Sequence, residues 1–379
     1  MDTIRFGIIG LGIQGSLYKN LFLGNIYGTT IVAPKQCRLT TICDPSIHAQ
    51  EVANELQIPY FSDYHKLIES DACDAIVITV PHLFHKEITM DALCHGKHVL
   101  CEKPTALRAS DVKEMQEAAT PQTKFGIMHH LRAHPLFQSI KQILTSKELG
   151  QFRNGIWISN QYYRPDTYYS EKAWRGTWDG EGGGILVNQI PHQLDLLLWF
   201  LGIPSAVTCH LGEGRYRQIE VDNELTAILQ YPNQTTMTLT ANTYDPLGTE
   251  RLELNFSKGK LVMENNQTIT ITRFKEEETT WNTNYTYLEF MNQKRMDATS
   301  LYTQEEKTFE VPFFLPYITM FENFADTVLK DVPLIASAED GFQEVSLANS
   351  LYLSSWQNTT IAHPSSMDTF NQLYEKKIQ

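Results

Sequence analysis

Short apolar runs alternate with helical periodicity over the first 130 residues. Five runs have the length and the composition of buried strands, at 4–9, 39–43, 75–80, 98–101 and 125–128. Apolar residues recur at helical spacing between them, at Ala49, Val52, Ala53 and Leu56 and again at Val112, Met115 and Ala119. This alternation of strands and helices predicts an α/β domain with a doubly wound parallel sheet.

The pattern changes beyond residue 154. Longer alternating runs, 225–242 and 250–262, are typical of half-buried strands. Turn signals at 232–233 and 258–259 interrupt both runs, which indicates hairpins. This half of the chain therefore predicts an open, mostly antiparallel sheet.

Two stretches of the second half have helical periodicity, 185–201 and 318–329. The first ends at Gly202, a residue type favoured just beyond a helix. We predict a doubly wound domain over residues 1–130 and an α+β domain over residues 131–379.

Composition narrows the classes of protein to consider. The net charge is -13, which disfavours nucleic acid as a partner, and no apolar run reaches the roughly 20 residues that span a bilayer. The six cysteines include no Cys-x-x-Cys pair, as expected in a reducing compartment. The first predicted strand begins at residue 4, which leaves no room for a targeting peptide. We expect a cytoplasmic protein with neither a membrane nor a nucleic-acid partner.

A glycine-rich turn follows the first predicted strand. Gly10 permits a tight turn, Gly12 lets the backbone approach a pyrophosphate, and Gly15 lets helix and strand pack closely. Ile13 and Gln14 open the following helix, whose N-terminus attracts phosphate charge. The first domain is therefore predicted to be a Rossmann domain that binds a nicotinamide dinucleotide.

Asp44 ends the second predicted strand. A carboxylate there accepts hydrogen bonds from the adenosine ribose and repels a 2'-phosphate, so we expect NAD as the cofactor, with NADP as the alternative. Asp44 lies further beyond Gly15 than is usual, because 24–36 has the composition of an inserted loop. The competing interpretation is that Asp44 only starts a turn before Pro45.

Lys103 follows the fourth predicted strand, at the sheet edge where open α/β folds bind ligands. Its segment, Gly-Lys-His-Val-Leu-Cys-Glu-Lys-Pro over 96–104, resembles the glucose-fructose oxidoreductase, inositol dehydrogenase and rhizopine-catabolism (Gfo/Idh/MocA) family. The resemblance continues in Trp-Arg-Gly-Thr-Trp over 174–178 and in the block 182–195.

The resemblance implies a Rossmann domain joined to an open-faced sheet domain through which subunits associate, so we expect a homodimer or a homotetramer. It also implies a sugar or cyclitol substrate. We expect the cofactor site to include residues beyond the glycine turn and Asp44, namely Pro81, His82, His85, Glu102 and Lys103.

Hydride transfer needs a group that takes or returns the alcohol proton, and a neutral imidazole suits this near pH 7. We predict His192 as that base and Lys103 as the group that binds the same oxygen. The family more often has aspartate at the position of Asn188, and an asparagine cannot act as a charged relay. Asp195, on the same predicted helix face, is a hypothetical substitute that orients the imidazole.

Aromatic and basic side chains cluster around the predicted site, as suits stacking on sugar rings. Together with Asn188 and His192, the predicted substrate-binding residues are His130, Arg132, Tyr163, Arg164, Trp174 and Arg175. Half of the aromatics are equally compatible with a core or an interface. The histidines of the first domain have no regular metal spacing, so we expect no metal.

Three functions fit these residues. The leading hypothesis is a dehydrogenase acting on a CH–OH group of a sugar, sugar derivative or cyclitol. The second is a redox-neutral enzyme that oxidises a hydroxyl transiently during glycoside cleavage or epimerisation. The third is a cofactor-sensing regulator without catalysis, which Lys103 and His192 disfavour and Asn188 favours weakly.

Overall fold

A computed structural model describes residues 3–26 and 28–378. In this part of the chain, six parallel strands form the first sheet: Ile4–Ile9, Cys37–Cys43, Tyr60–Phe61, Ala75–Ile78, His98–Cys101 and Phe125–Ile127. They lie in the order 60–61, 37–43, 4–9, 75–78, 98–101, 125–127. The predicted parallel sheet and its five strands are confirmed. The sixth, Tyr60–Phe61, is too short to give an alternating pattern.

Helices cover both faces of this sheet, as expected of a doubly wound fold. Two of them, Ile13–Phe22 and Ile47–Glu55, share a core with Phe6 and Ile8 on one face. The opposite face is covered by Tyr64–Glu69, His85–Cys94 and Ala109–Ala118. Single 3₁₀ turns occupy His82–Phe84 and His130–Ala133, and the short strands Asn25–Ile26 and Thr29–Thr30 pair within the predicted inserted loop.

The second sheet has nine strands among the described residues: Phe152–Ser159, Ala206–Glu213, Asp222–Gln230, Thr236–Asn242, Glu250–Phe256, Gly259–Glu264, Thr268–Phe274, Tyr302–Thr308 and Ile361–Ala362. The order across the sheet is 302–308, 268–274, 259–264, 250–256, 152–159, 236–242, 222–230, 206–213, 361–362. The pair 152–159 and 236–242 is parallel and the other pairs are antiparallel. Both predicted hairpins are confirmed.

One face of this sheet shares a core with long helices, which are Pro135–Ser146, Pro191–Leu201, Ala338–Gln357 and Met367–Ile378. Its other face leaves apolar side chains such as Ile156 and Ile228 exposed. Shorter helices occupy Asp166–Ser170, Glu278–Asn284 and Tyr287–Met296, with a 3₁₀ turn at Ala298–Ser300. Across the residues that the structure describes, no helix combines the length and the apolar character needed to cross a membrane.

The helix Leu315–Lys330 confirms the one predicted over 318–329 and packs on the first sheet. Its Phe321 ring lies 5.7 Å from Phe6 and 4.7 Å from Phe22, centroid to centroid. The chain beyond residue 130 therefore also completes the core of the dinucleotide-binding fold.

The prediction of a single helix over 185–201 is wrong. A π-helical turn occupies Ile185–Gln189, and an α-helix follows over Pro191–Leu201, ending at Gly202 as predicted. The break lies at Ile190, because Pro191 has no N–H to continue the ladder and restricts the residue before it. On the polar face predicted for this stretch, His192 and Asp195 are buried and Asn188 is half-buried.

Candidate active site

Two cavities lie on either side of the glycine turn. The larger, of about 520 Å³, is lined by Gly10, Gly12, Asp44 and Pro81, and is called here the Asp44 cavity. The smaller, of about 350 Å³, is called the Lys103 cavity, and its lining includes Gln14, Glu102, Lys103, His130, Arg164, Asn188 and His192. Gly12 is the N-cap of the helix Ile13–Phe22 and Gln14 lies in its first turn, so the two cavities border the start of the same helix.

The glycine turn has the geometry that a dinucleotide requires. Gly10 has φ +94°, and a Cβ on Gly15 would lie 2.0 Å from the Gly10 carbonyl oxygen. A Cβ on Gly12 would meet no protein atom within 4 Å, so this side of the turn is open. Gly12 is also the N-cap of a ten-residue helix and has no side chain to cap it. The residues present therefore fit a bound pyrophosphate.

The exchange Gly12→Ala separates binding from stability. Gly12 has φ -69°, which alanine adopts freely, so we expect the thermal midpoint to stay within about 2 °C of wild type. The added methyl group occupies the space where the pyrophosphate would approach, so NADH affinity, measured by fluorescence titration, is expected to fall about tenfold or more. Gly15→Ala is the contrasting variant, and its steric clash is expected to lower the midpoint itself.

Asp44 lies at the mouth of the Asp44 cavity despite its unusual spacing. Its carboxylate accepts hydrogen bonds from the Leu11 N–H at 2.7 Å and the Ser46 N–H at 2.9 Å. Burial raises the pKa of Asp44, but these hydrogen bonds outweigh burial, so the pKa lies below its ordinary value. An ionised carboxylate is thus held beside the glycine turn.

Lys103 enters its cavity from the end of the strand His98–Cys101. Its Nζ donates to the Asn188 backbone carbonyl at 2.9 Å, which joins the two domains at this point. Burial lowers the pKa of Lys103, against the opposing charges of Glu102 and Glu344. The Glu102 carboxylate accepts from the Tyr18 hydroxyl and from the Lys103 N–H, which fixes its position beside Lys103 in the cavity wall.

The imidazoles of His130 and His192 line the Lys103 cavity, and the buried His129 ring packs against His192. The centroid of the His192 ring lies 4.5 Å from that of His130 and 5.7 Å from that of His129. Burial, with the neighbouring His130, Lys103 and His129, holds the pKa of His192 well below its usual value. Its Nδ1 has no partner among the described residues. The ring is therefore neutral at physiological pH.

His85, predicted at the cofactor site, has a different environment. Its Nδ1 lies 2.8 Å from the Pro104 carbonyl and its Nε2 lies 2.9 Å from the Val80 carbonyl, with the ring fully buried. It thus links the ends of two neighbouring strands. His82, on the adjoining turn, faces Trp174 at 6.4 Å.

Two family models match the chain. The one described as an oxidoreductase family with an NAD-binding Rossmann fold matches residues 4–130, and that of the GFO/IDH/MocA C-terminal domain matches residues 137–262. Together they cover more than half of the sequence. The chain belongs to the Gfo/Idh/MocA family.

Relatives of this Gfo/Idh/MocA protein act on different compounds. The scyllo-inositol 2-dehydrogenase (NADP(+)) IolW of Bacillus subtilis is 26% identical over 223 residues, which are 59% of this chain and 58% of IolW. The 2,7-anhydro-N-acetylneuraminate hydratase of Escherichia coli is 26% identical over 250 residues, or 62% and 61% of the two chains. The alignments thus span less than two thirds of either relative.

A solved structure covers more of the chain. The WlbA dehydrogenase of Bordetella pertussis, in complex with NADH and UDP-GlcNAcA, superposes with a TM-score of 0.79 over 96% of this chain and 99% of its own. The two sequences are 21% identical. This likeness shows that the chain has the fold of that dehydrogenase across both domains.

Asp195 does not contact His192 as hypothesised. Its carboxylate accepts from Arg132 Nε at 2.9 Å and Nη2 at 2.7 Å, and the same guanidinium pairs with Asp340 at 2.9 Å. His192 and Asp195 lie on the same helix, Pro191–Leu201, but both carboxylate oxygens of Asp195 are occupied by the Arg132 guanidinium. Arg132 was expected to bind substrate, but it is only 4% exposed and does not line the Lys103 cavity. Its charge is instead neutralised by two carboxylates of the protein, Asp195 and Asp340.

The predicted aromatic and basic residues form an outer layer around the cavity. Arg164 lines the Lys103 cavity, but Tyr163, Trp174 and Arg175 do not. The Arg175 guanidinium lies 4.0 Å from the Tyr168 ring centroid and donates to the Tyr168 carbonyl, so it supports that ring.

Tyr162, one of the aromatic residues expected around the site, lines the cavity. Other lining residues escaped prediction from the sequence, among them Gln161, Gln189, Asn266 and Tyr317. Tyr317 stacks on His130 at 4.0 Å from the helix Leu315–Lys330, far away along the chain. Nothing in the surrounding sequence marks Tyr317 or Asn266. Gln189 adjoins the predicted residue Asn188, so widening that motif by one position would have found it.

Proposed function

We propose that this protein is an NAD-dependent oxidoreductase that transfers hydride between the nicotinamide and a hydroxyl-bearing carbon of a sugar, sugar derivative or cyclitol. The observation that carries the proposal is that Lys103 and a neutral His192 share one cavity with Gln14, at the start of the cofactor helix. Relatives named as dehydrogenases of inositols support the class of substrate.

The side chains divide the work at the reacting hydroxyl. The bound nicotinamide supplies the hydride acceptor. His192 accepts the proton of the alcohol as general base, since its ring is neutral across the physiological range. Lys103, as the ammonium ion, donates a hydrogen bond to the same oxygen and stabilises the negative charge that develops on it. In the reverse direction His192 returns the proton.

The other residues bind and orient. We assign the pyrophosphate to the turn containing Gly10, Gly12 and Gly15, with Ile13 and Gln14 at the helix start, and the adenosine ribose to Asp44. Pro81, His82, His85 and Glu102 shape the loops around the cofactor. We assign substrate contacts to His130, Arg164 and Asn188. Amides and hydroxyls of Gln161, Gln189, Asn266 and Tyr162 line the same cavity, which suits a polyhydroxylated ligand.

The decisive test is reduction of NAD by the purified protein against a panel of inositols, aldoses, sugar acids and glycosides, followed by NADH absorbance. Turnover with one group of polyols supports the proposal and names its substrate. Tight NADH binding without turnover on any member of the panel contradicts it.

A redox-neutral reaction is the second candidate, because the E. coli relative is named as a hydratase. It would use the same hydride step but restore the cofactor within each cycle. Glycoside or anhydrosugar loss, detected by mass spectrometry without NADH accumulation, distinguishes it from net oxidation. A regulator would show neither chemistry but a stable partner protein.

The cofactor preference follows from Asp44. Its ionised carboxylate would repel the 2'-phosphate of NADP, so NADH is expected to bind at least about tenfold more tightly than NADPH. Asp44→Ser removes the charge and is expected to bring the two affinities together. Asp63→Ser, which removes another carboxylate lining the Asp44 cavity, is the comparison. Tighter NADPH binding by the wild type would contradict the assignment.

We also propose a homodimer or a homotetramer in the cytoplasm. The exposed Ile156 and Ile228 on the open sheet face support association through that face. The six cysteines are all unpaired in the structure, which supports a reducing compartment. Light scattering is expected to give a mass of two or four chains, and a mass near 43.4 kDa would contradict association.

A further inference from the structure

The side-chain amide of Asn188 has both of its N–H donors engaged by the protein. Its Nδ2 donates to the Tyr168 hydroxyl at 3.2 Å and to the carboxylate of Glu181. No described residue donates to its Oδ1, and Asn188 lines the Lys103 cavity. The amide therefore offers the cavity an acceptor and no free donor.

Glu181 is the residue that sets this orientation. It is 2% exposed, and its second carboxylate oxygen accepts the Gly176 N–H at 2.7 Å. An ionised carboxylate only accepts hydrogen bonds, so a flipped Asn188 amide would place oxygen against oxygen in a buried site. The cost of that arrangement, about 1–3 kcal/mol or more, keeps Nδ2 toward Glu181.

The motif 182–195 contains an asparagine where aspartate is more usual, and Glu181 stands directly before it. A carboxylate is therefore still present at the site, one layer behind the cavity wall. The Glu181 carboxylate accepts a hydrogen bond from the side chain of Asn188. The backbone carbonyl of the same asparagine accepts a hydrogen bond from Lys103 Nζ. Compared with an aspartate at position 188, the negative charge lies one residue further from the cavity, on Glu181. The side-chain oxygen of Asn188 still offers the cavity a hydrogen-bond acceptor.

We propose that Glu181 is a positioning residue that fixes Asn188 as a hydrogen-bond acceptor and thereby selects substrates with a hydroxyl donor at this point. This rests on the proposed function in one respect, the identification of the ligand as a polyol. A carboxylate or an ether oxygen of a ligand at the same place would meet the Asn188 oxygen and be rejected.

The hydrogen-bond chain predicts the behaviour of reciprocal exchanges. In Glu181→Gln, the introduced glutamine accepts from the Gly176 N–H and turns its Nε2 toward Asn188. The Asn188 amide then either flips, which points its N–H donors into the cavity, or leaves two donors facing each other. In Asn188→Asp, two carboxylates face each other and must share a proton. In the double variant, the introduced glutamine accepts from the Gly176 N–H through its Oε1 and donates through its Nε2 to the introduced aspartate. Every partner is then satisfied again.

The first measurement is calorimetric titration of NADH-loaded protein with the inositols and aldoses of the panel. Affinity for the best polyol is expected to fall about tenfold or more in each single variant at pH 8, and to return to within about threefold of wild type in the double variant. Glu306→Gln, an exposed exchange of the same kind on the strand Tyr302–Thr308, is expected to have no effect. A double variant no better than the worse single variant would overturn the proposal.

A second readout does not depend on any substrate. The side-chain amide signal of Asn188, identified in the ¹⁵N NMR spectrum as the one lost in Asn188→Asp, is expected to shift as Glu181 titrates. Burial raises the pKa of Glu181 to about 7, with Asp222 raising it and Arg175 lowering it among the charged groups around it. Lys103 and Tyr169 also lie within its field. The shift should disappear in Glu181→Gln.

The two readouts separate the two ideas. A titrating amide signal without NAD reduction leaves Glu181 as the positioning residue and rejects the proposed dehydrogenase. If the protein reduces NAD but the Asn188 amide signal does not change with pH, only the positioning role of Glu181 is rejected. The same holds if the protein reduces NAD and Glu181→Gln leaves the polyol affinity unchanged. If Glu181→Gln does not fold, the wild-type protein still tests the proposal, because an Asn188 amide signal that does not change with pH would overturn it.

Discussion

Replacing Lys103 by methionine is expected to reduce kcat by a factor of about 10²–10⁴ while NADH affinity stays within about threefold of wild type. Methionine preserves most of the length of the side chain but cannot donate to the reacting oxygen. The variant loses stabilisation of the charge that develops on that oxygen, so kcat falls more than KM rises. Lys113→Met, an exposed exchange on the helix Ala109–Ala118, is the matched control.

The pH profile adds a second expectation for the same variant. The charge of Lys103 is one of the causes that hold the pKa of His192 down, after burial and His130. Removing that charge raises the pKa of His192, so the acidic limb of the residual activity is expected to move to higher pH. Stopped-flow or coupled assays between about pH 5 and 9 would measure it. Full activity in Lys103→Met would remove this lysine from the mechanism.

The fold was largely predictable because most of its signals are local. Strands buried on both faces appear as short apolar runs, and the half-buried strands of the second sheet appear as alternation. The exception at 185–201 shows where local reasoning fails. Periodicity continued across Pro191, but the missing N–H and the restricted Ile190 produced a π-turn and a new helix. A proline inside a periodic stretch is thus a stronger indicator of a helix boundary than the periodicity is of a continuous helix.

The candidate site was predictable where motifs carry it and not where distant segments complete it. Lys103, Asn188 and His192 lie in continuous motifs and share one cavity. Tyr317 reaches that cavity because a late helix packs back on the first sheet, and no local pattern reports such a contact. Identifying residues that reach a site from a distant part of the chain therefore requires the tertiary structure.

Charged residues near the site proved the hardest to assign. Arg132 was predicted to contact a ligand because it stands near His130, and Asp195 was predicted to orient His192 because the two share a helix face. The structure pairs them with each other, with Asp340 as a third member. A sequence does not distinguish a charge that faces a ligand from one that is neutralised inside the protein.

Arg132→Met is accordingly expected to act on stability, lowering the free energy of unfolding by about 3–5 kcal/mol. The exchange leaves the buried Asp195 and the partly buried Asp340 without their cation, and the penalty arises from those uncompensated carboxylates rather than from lost packing. Urea unfolding followed by tryptophan fluorescence measures it, with the exposed Arg38→Met as control. A normal stability with a raised KM would instead make Arg132 a ligand contact.

The pH dependence of this loss identifies its cause. Burial raises the pKa of Asp340, but Arg132 and Ser337 outweigh burial, so the folded-state pKa lies below the unfolded value. Such a group stabilises the fold above its unfolded pKa of about 4, and that stabilisation is lost as pH falls through the folded pKa. The deficit of Arg132→Met should therefore be largest near neutral pH and shrink in acid. Adding Asp195→Leu to the same chain should recover part of the loss, because an apolar side chain needs no buried counter-charge.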